Sequence, residues 1–195
     1  MKKLLAAILL AALPALGATL GAPAPDFALQ SVAEGTVKLS QYRGKYVVLE
    51  WVNPECPYVR KHYGSANMQR LQKDTTAKGV VWLTINSTRA GHYEFKPPAE
   101  MAKWMKQMNA ASSATLLDPK GEVGRAYDAR TTPHLYIVDP KGVLVYAGGI
   151  DDKRSTDPAD VKTAKNYVRA AMDELLAGKP VSSASTQPYG CSVKY

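Results

Sequence analysis

The stretch WVNPECPYVRKHY, residues 51–63, decides how this chain is read. It follows on from KYVVLEWV, residues 45–52, which is β-rich and largely apolar, as a central strand is. Pro57 suits the first position of a helix, where no backbone N–H is needed, and Val59, Tyr63 and Leu71 supply that helix's apolar points. Cys56 therefore stands between the end of a buried strand and the start of a helix. The helix's free N–H groups and the positive end of its dipole face the sulfur there and favour the nucleophilic thiolate. The same local residues fit a buried, inert cysteine beside a proline equally well.

Further along, Gly64-Ser65 is expected to kink or split the helix. Residues 79–85 read as a second buried strand and 86–97 as a loop. Residues 98–109 read as a helix with Met101, Trp104, Met105 and Met108 on one face, a core stripe. A short strand at 114–117 precedes an Asp-Pro-Lys-Gly turn and a small helix to Tyr127. Residues 134–138 and 143–146 form a hairpin over a second Asp-Pro-Lys-Gly turn. Residues 157–177 read as one long helix, with Asp157 as N-cap, Pro158 at its first position and Gly178 just past its end. On the amino-terminal side, 19–25 read as a Pro/Ala linker and 26–39 as a short hairpin or extended segment. Residues 182–195 read as a polar tail with little to bury. This order describes a small α/β sheet with a mixed edge. It puts Cys56 at the carboxyl end of a central strand, where such sheets hold their chemistry.

The chain opens MKKLLAAILLAALPALGA: two lysines, an apolar core too short to span a bilayer comfortably, then small residues with a cleavage point expected between Gly17 and Ala22. We take 1–22 as a signal peptide, which makes the protein exported, periplasmic in a two-membrane bacterium, and without stable membrane association after cleavage. About 175 residues remain, enough for one domain with a proper core, at 23–180, and a tail at 181–195 that carries Cys191. The net charge of +8 falls to +6 without Lys2 and Lys3, and the remaining cations are scattered. That pattern, with export, argues against a nucleic-acid partner. In an oxidising compartment the two cysteines, Cys56 and Cys191, suggest a disulfide, permanent or cycling.

A second stretch settles the reading of the first. Thr131-Thr132-Pro133-His134 places a Thr-Pro just before a strand and a hairpin, and this resembles the cis-proline loop that lies against the active-site cysteine in the thioredoxin superfamily. The order of elements resembles that fold over nearly all of 23–178: a central mixed β-sheet flanked by helices, with the cis-Pro loop before the carboxyl-terminal hairpin. Within the superfamily, APDFAL (24–29), NPECPYV (53–59), TPHLYIVDPKG (132–142), YAGGIDD (146–152) and GCSVKY (190–195) are similar to the peroxiredoxin-like or redoxin proteins related to the alkyl hydroperoxide reductase and thiol-specific antioxidant family.

The resemblance implies a thiol-dependent oxidoreductase with Cys56 as nucleophile, Pro57, Thr132 and Pro133 around it, and no cofactor. Its substrate would be a peroxide or a disulfide, and its reductant a thiol protein or small thiol. The chain also departs from the pattern. Val59 stands where thioredoxins carry their second cysteine. Leu49 and Asn53 stand where peroxiredoxins have Pro and Thr, and their arginine position falls near Pro133. Asn53 is left as a donor to a peroxide oxygen, with Arg130 or Arg125 as the cation. Cys191 becomes the candidate resolving thiol, attacking a Cys56 sulfenic acid or mixed disulfide, within the chain or from a partner subunit; a static staple fits the same residues. The alternative is a non-catalytic thioredoxin-like binding protein or copper chaperone, with His62 or His134 approaching the sulfur.

Overall fold

The computed structural model describes residues 17–33 and 35–195. A hairpin of β1 (Ala28–Ser31) and β2 (Thr36–Lys38) leads into β3 (Val47–Trp51), which is buried along its whole length. Then come α1 (Pro57–Gly64), α2 (Asn67–Thr76), β4 (Val81–Asn86), α3 (Pro98–Gln107), β5 (Ala114–Leu117) and α4 (Glu122–Ala126). The chain finishes with β6 (Thr131–Thr132), β7 (His134–Val138), β8 (Leu144–Gly148), α5 (Tyr167–Leu176) and β9 (Cys191–Ser192). Seven strands form a mixed sheet in the order β2-β1-β5-β4-β3-β7-β8, with β3, β4 and β5 parallel and the strands beyond them antiparallel. Helices cover both faces. Val48, Val52, Leu71, Trp82, Met101, Leu135 and Met172 form the core on one side, and Leu49, Trp51, Ile85, Tyr127 and Tyr136 on the other. The peptide bond between Thr132 and Pro133 is cis. This is the thioredoxin-like α/β fold that the sequence implies.

The break at Gly64-Ser65 is present: α1 ends at Gly64, and Ala66, left-handed at φ 56°, starts α2. Three expectations need correction. Residues 157–177 are not one helix. Asp157 does cap, accepting from the Ala159 N–H at 2.8 Å, but only a 3-10 turn, Pro158–Lys162; α5 starts anew with Asn166 accepting from the Arg169 N–H. The physical reason is a tie to the sheet's end. Asn166 bridges to Asp151 and the Tyr167 N–H donates to the Ile150 carbonyl, so the chain turns where a continuous helix would run straight.

The second correction is residues 19–25, which are pinned rather than free: the Gly21 N–H donates to Leu144 O, and Leu144 N–H to Ala22 O, beside a Pro23–Val143 bridge. The third is the tail, which is built into the fold. The Thr186 hydroxyl pairs with the Tyr146 hydroxyl, Tyr189 is buried, β9 pairs antiparallel with β6, and the Tyr195 hydroxyl donates to Ala129 O at 2.6 Å. Its signal is present in the sequence as an alternation: Tyr189, Cys191, Val193 and Tyr195 are every second residue, the period of a strand. The expected leader falls mostly on 1–16, outside the described residues. Among those described, no helix is long and apolar enough to cross a membrane.

Candidate active site

Cys56 is the N-cap of α1, extended at φ −72° and ψ 122°, with Pro57 at the first helical position. Its N–H donates to Asn53 O at 3.0 Å, which closes the turn out of β3, and its carbonyl accepts the first α-helical bond, from Arg60, at 2.9 Å. The side chain is only 2% exposed. Its thiol donates to the Thr132 carbonyl oxygen at 2.9 Å, the carbonyl just before the cis-proline. The strand–helix turn and the Thr-Pro loop, 76 residues apart in sequence, therefore meet at the sulfur.

Cys191 completes the group. In β9 it sits directly opposite Thr132, the residue whose carbonyl accepts from the Cys56 thiol, and both cysteines are free thiols. Burial pushes Cys191 up to about 12, and the Cys56 sulfur beside it adds to the rise; Glu94 raises it further, while Lys194 opposes. Cys191 is therefore held as the thiol. Gly190 makes the approach feasible. It has φ +137°, and a Cβ there would lie 2.1 Å from Thr132 O and 2.7 Å from its carbon, closer than any side chain fits.

The other residues expected at the site divide into two groups. Pro57, Thr132 and Pro133 frame the sulfur. Asn53 is buried beside it, but its amide is engaged: Nδ2 donates to Glu94 Oε2 at 2.6 Å, and Oδ1 accepts from the Glu55 N–H at 2.8 Å. Arg130 is not a site cation. Its guanidinium lies exposed on Asp128, with bonds of 2.9 and 2.5 Å, and Arg125 stacks over the Tyr195 ring, 4.6 Å from its centroid. Exposure explains the first case, because a surface carboxylate two residues away is the nearer partner. Glu55 is paired with Lys96 at 2.8 Å and with Arg60; Lys96 above all holds its carboxyl below the usual range. His62 and His134 are both buried and hydrogen-bonded to tyrosines, His62 at Nε2 to Tyr189 (3.1 Å) and His134 at Nδ1 to Tyr136 (3.0 Å). Burial drives them down to about 3 and about 4. Neither bonds the Cys56 sulfur, so the copper reading has no ligand set built around that thiol.

Two buried carboxylates carry more of the site's surroundings than the sequence reading gives them. Glu50, on β3, is fully buried and accepts from Trp82 Nε1 (2.7 Å), the Tyr63 hydroxyl (3.0 Å), Gln72 Nε2 (3.1 Å) and the Thr84 hydroxyl (3.3 Å). Burial lifts it to about 7 even against those four donors. Asp151, just past β8, accepts from the Tyr189 hydroxyl and the Lys153 N–H on Oδ1, while its buried Oδ2, 3.9 Å from His62 Nε2, has no hydrogen-bond partner among the described residues. A charged residue in the middle of the apolar run KYVVLEWV is the sequence signal for Glu50; nothing local marks Asp151.

The AhpC/TSA family pattern matches residues 20–147. The chain belongs to that family. It is 33% identical to an uncharacterized conserved protein from Geobacillus kaustophilus, whose solved structure superposes with a TM-score of 0.80 over 91% of this chain and 92% of that one. Thioredoxin-like protein YneN of Bacillus subtilis is 28% identical over 149 residues, 72% of this chain and 79% of its own. A candidate thiol:disulfide interchange protein DsbE from Chlorobium tepidum is 27% identical, with a TM-score of 0.55 over 67% of this chain and 85% of that one. Family and fold support thiol-based redox function. The AhpC/TSA match stops at Ala147, so Asp151, Tyr189 and Cys191 all lie beyond it.

Proposed function

We propose that the chain is an exported thiol–disulfide oxidoreductase in which Cys56 is the nucleophile and Cys191 the resolving thiol of the same molecule. The observation that carries this is the meeting of both cysteines at Thr132: its carbonyl accepts from the Cys56 thiol, and Cys191, 135 positions from Cys56 in the sequence, lies directly opposite it in the β6–β9 pair. In the reducing direction, the Cys56 thiolate attacks a substrate disulfide, forms a mixed disulfide and releases one substrate thiolate. Cys191 then attacks the Cys56 sulfur, its proton passing to the substrate sulfur that departs. The second substrate thiol leaves, and a Cys56–Cys191 disulfide remains for a thiol protein or small thiol to reduce. A disulfide substrate is favoured over a peroxide because the groups that would polarise an O–O bond are committed elsewhere, Asn53 to Glu94 and Arg130 to Asp128. For the leader, the bond from Ala18 N–H to Ala126 O favours cleavage between Gly17 and Ala18, which leaves the pinned segment with the domain.

The test is to treat the reduced protein with oxidised glutathione and follow it by mass spectrometry. The native protein should pass through one glutathione adduct to an internal disulfide. Cys191→Ser should stop at the adduct on Cys56, and Cys56→Ser should form no internal disulfide. A native protein that halts at the adduct would overturn the resolving role.

A further inference from the structure

The tail holds one more buried aromatic next to its thiol. Tyr189, two residues before Cys191, is 7% exposed, and its hydroxyl lies 3.1 Å from His62 Nε2 and 2.5 Å from Asp151 Oδ1. The direction of these bonds is fixed from the far end. Asn67 Nδ2 donates to His62 Nδ1 at 2.9 Å, so the neutral ring carries its proton on Nε2 and donates to the tyrosine oxygen, while the tyrosine donates to the carboxylate. The ring packs edge-on against Tyr58 at 5.7 Å, and the buried Lys61, whose Nζ donates to Lys153 O at 2.7 Å, stands 5.7 Å from its centroid.

Tyr58, Lys61 and His62 all belong to α1, the helix that Cys56 caps. The residue that grips the tail and the residue that reacts therefore share one rigid element. On the tail, three consecutive positions divide the work: Tyr189 is gripped, Gly190 passes the Thr132 carbonyl, and Cys191 lies opposite Thr132, to which the Cys56 thiol is bonded.

We propose that Tyr189, held between His62 and Asp151, is a positioning residue that seats Cys191 on Cys56 and so sets the effective concentration of the resolving thiol. This rests on the reading of Cys191 above. A thiol on a loosely tethered segment samples many positions, whereas one fixed within contact reacts as though at far higher concentration. A hydroxyl donating to a buried carboxylate is among the stronger single ties a side chain makes.

The experiment equilibrates the full-length mature protein with glutathione buffers, where the dithiol and one oxidised glutathione give the internal disulfide and two reduced glutathiones, and reads the effective concentration of the thiol pair. Tyr189→Phe keeps the ring and removes the hydroxyl; Tyr195→Phe, which releases the tail's half-buried last phenol, is the control. Thermal midpoints of both reduced variants are recorded alongside. The expected result is a fall of about tenfold or more for Tyr189→Phe and less than about threefold for Tyr195→Phe. A change within twofold for Tyr189→Phe, or equal falls for both variants, would overturn the positioning role while leaving Cys191 as the resolving thiol. A native protein that forms no internal disulfide would remove both proposals together.

Discussion

The turn that carries Cys56 and the tail that carries Cys191 meet at one point but are held in opposite ways. Cys56 is fixed by local backbone: a buried strand, a hydrogen bond from its own N–H to Asn53 O, and a proline-started helix. Cys191 has almost no local structure. Its two-residue strand stays in place through contacts at separate points: the hydroxyls of Thr186 and Tyr189, the Val193 N–H to Arg130 O, the Lys194 carbonyl to the Arg89 N–H, and the Tyr195 hydroxyl to Ala129 O. The two buried carboxylates repeat the contrast. Glu50, in the core beneath the turn, has four donors; Asp151, which holds the tail, leaves one oxygen without a hydrogen bond among the described residues. The turn is thus the rigid half of the site, held by its neighbours along the chain, while the tail is held by contacts with distant segments, and the two meet at Thr132.

That contrast can be broken most strongly at Gly190. Gly190→Ala puts a methyl group into the Thr132 carbonyl at a backbone angle that L-residues rarely adopt, a local penalty of roughly 3–5 kcal/mol. The tail should come away while the turn stays. Alkylation of Cys56 is expected to become at least about tenfold faster, with far-ultraviolet circular dichroism unchanged. Unaltered alkylation would mean that the tail does not shield the thiol.

The rigid half is tested through Glu50. Its carboxyl is raised from 4.5 to about 7 by folding, so the folded state holds its proton more tightly than the unfolded chain. The resulting stability is full below pH 4.5 and is lost as pH rises through 7, about 3 kcal/mol in all. His62 and His134 act in the other direction, because burial lowers them and protonating them on acidification destabilises the fold. The difference between native protein and Glu50→Gln in urea unfolding isolates the carboxyl. Native stability relative to the variant should fall between pH 4.5 and 7, and a flat difference would count against a buried, proton-holding Glu50.

Smaller effects sharpen the boundary. Tyr195→Phe removes one half-buried hydrogen bond at the tail's end and should lower stability by about 1 kcal/mol, read from the urea midpoint. Arg169→Ala breaks an exposed pair with Asp74 at 2.8 Å, away from both halves, and should cost under about 0.5 kcal/mol without changing thiol reactivity.

The sequence by itself determined the half that depends on neighbours along the chain. Strand periodicity, the Cys-Pro helix start, the Thr-Pro loop, the hairpin and the Gly64-Ser65 break are short-range patterns, and all are found where the sequence places them. It also put Cys56 at the carboxyl end of a central strand. Only the tertiary structure decided the rest, for one physical reason. Contacts between distant segments leave no periodic trace when each rests on one side chain. Asn53 went to Glu94, 41 residues on, because that partner was close in space, and the helix expected over 157–177 was cut by a bond back to Ile150. Tyr189 found His62 and Asp151 across 127 and 38 residues, and with it the missing second thiol arrived beside the first.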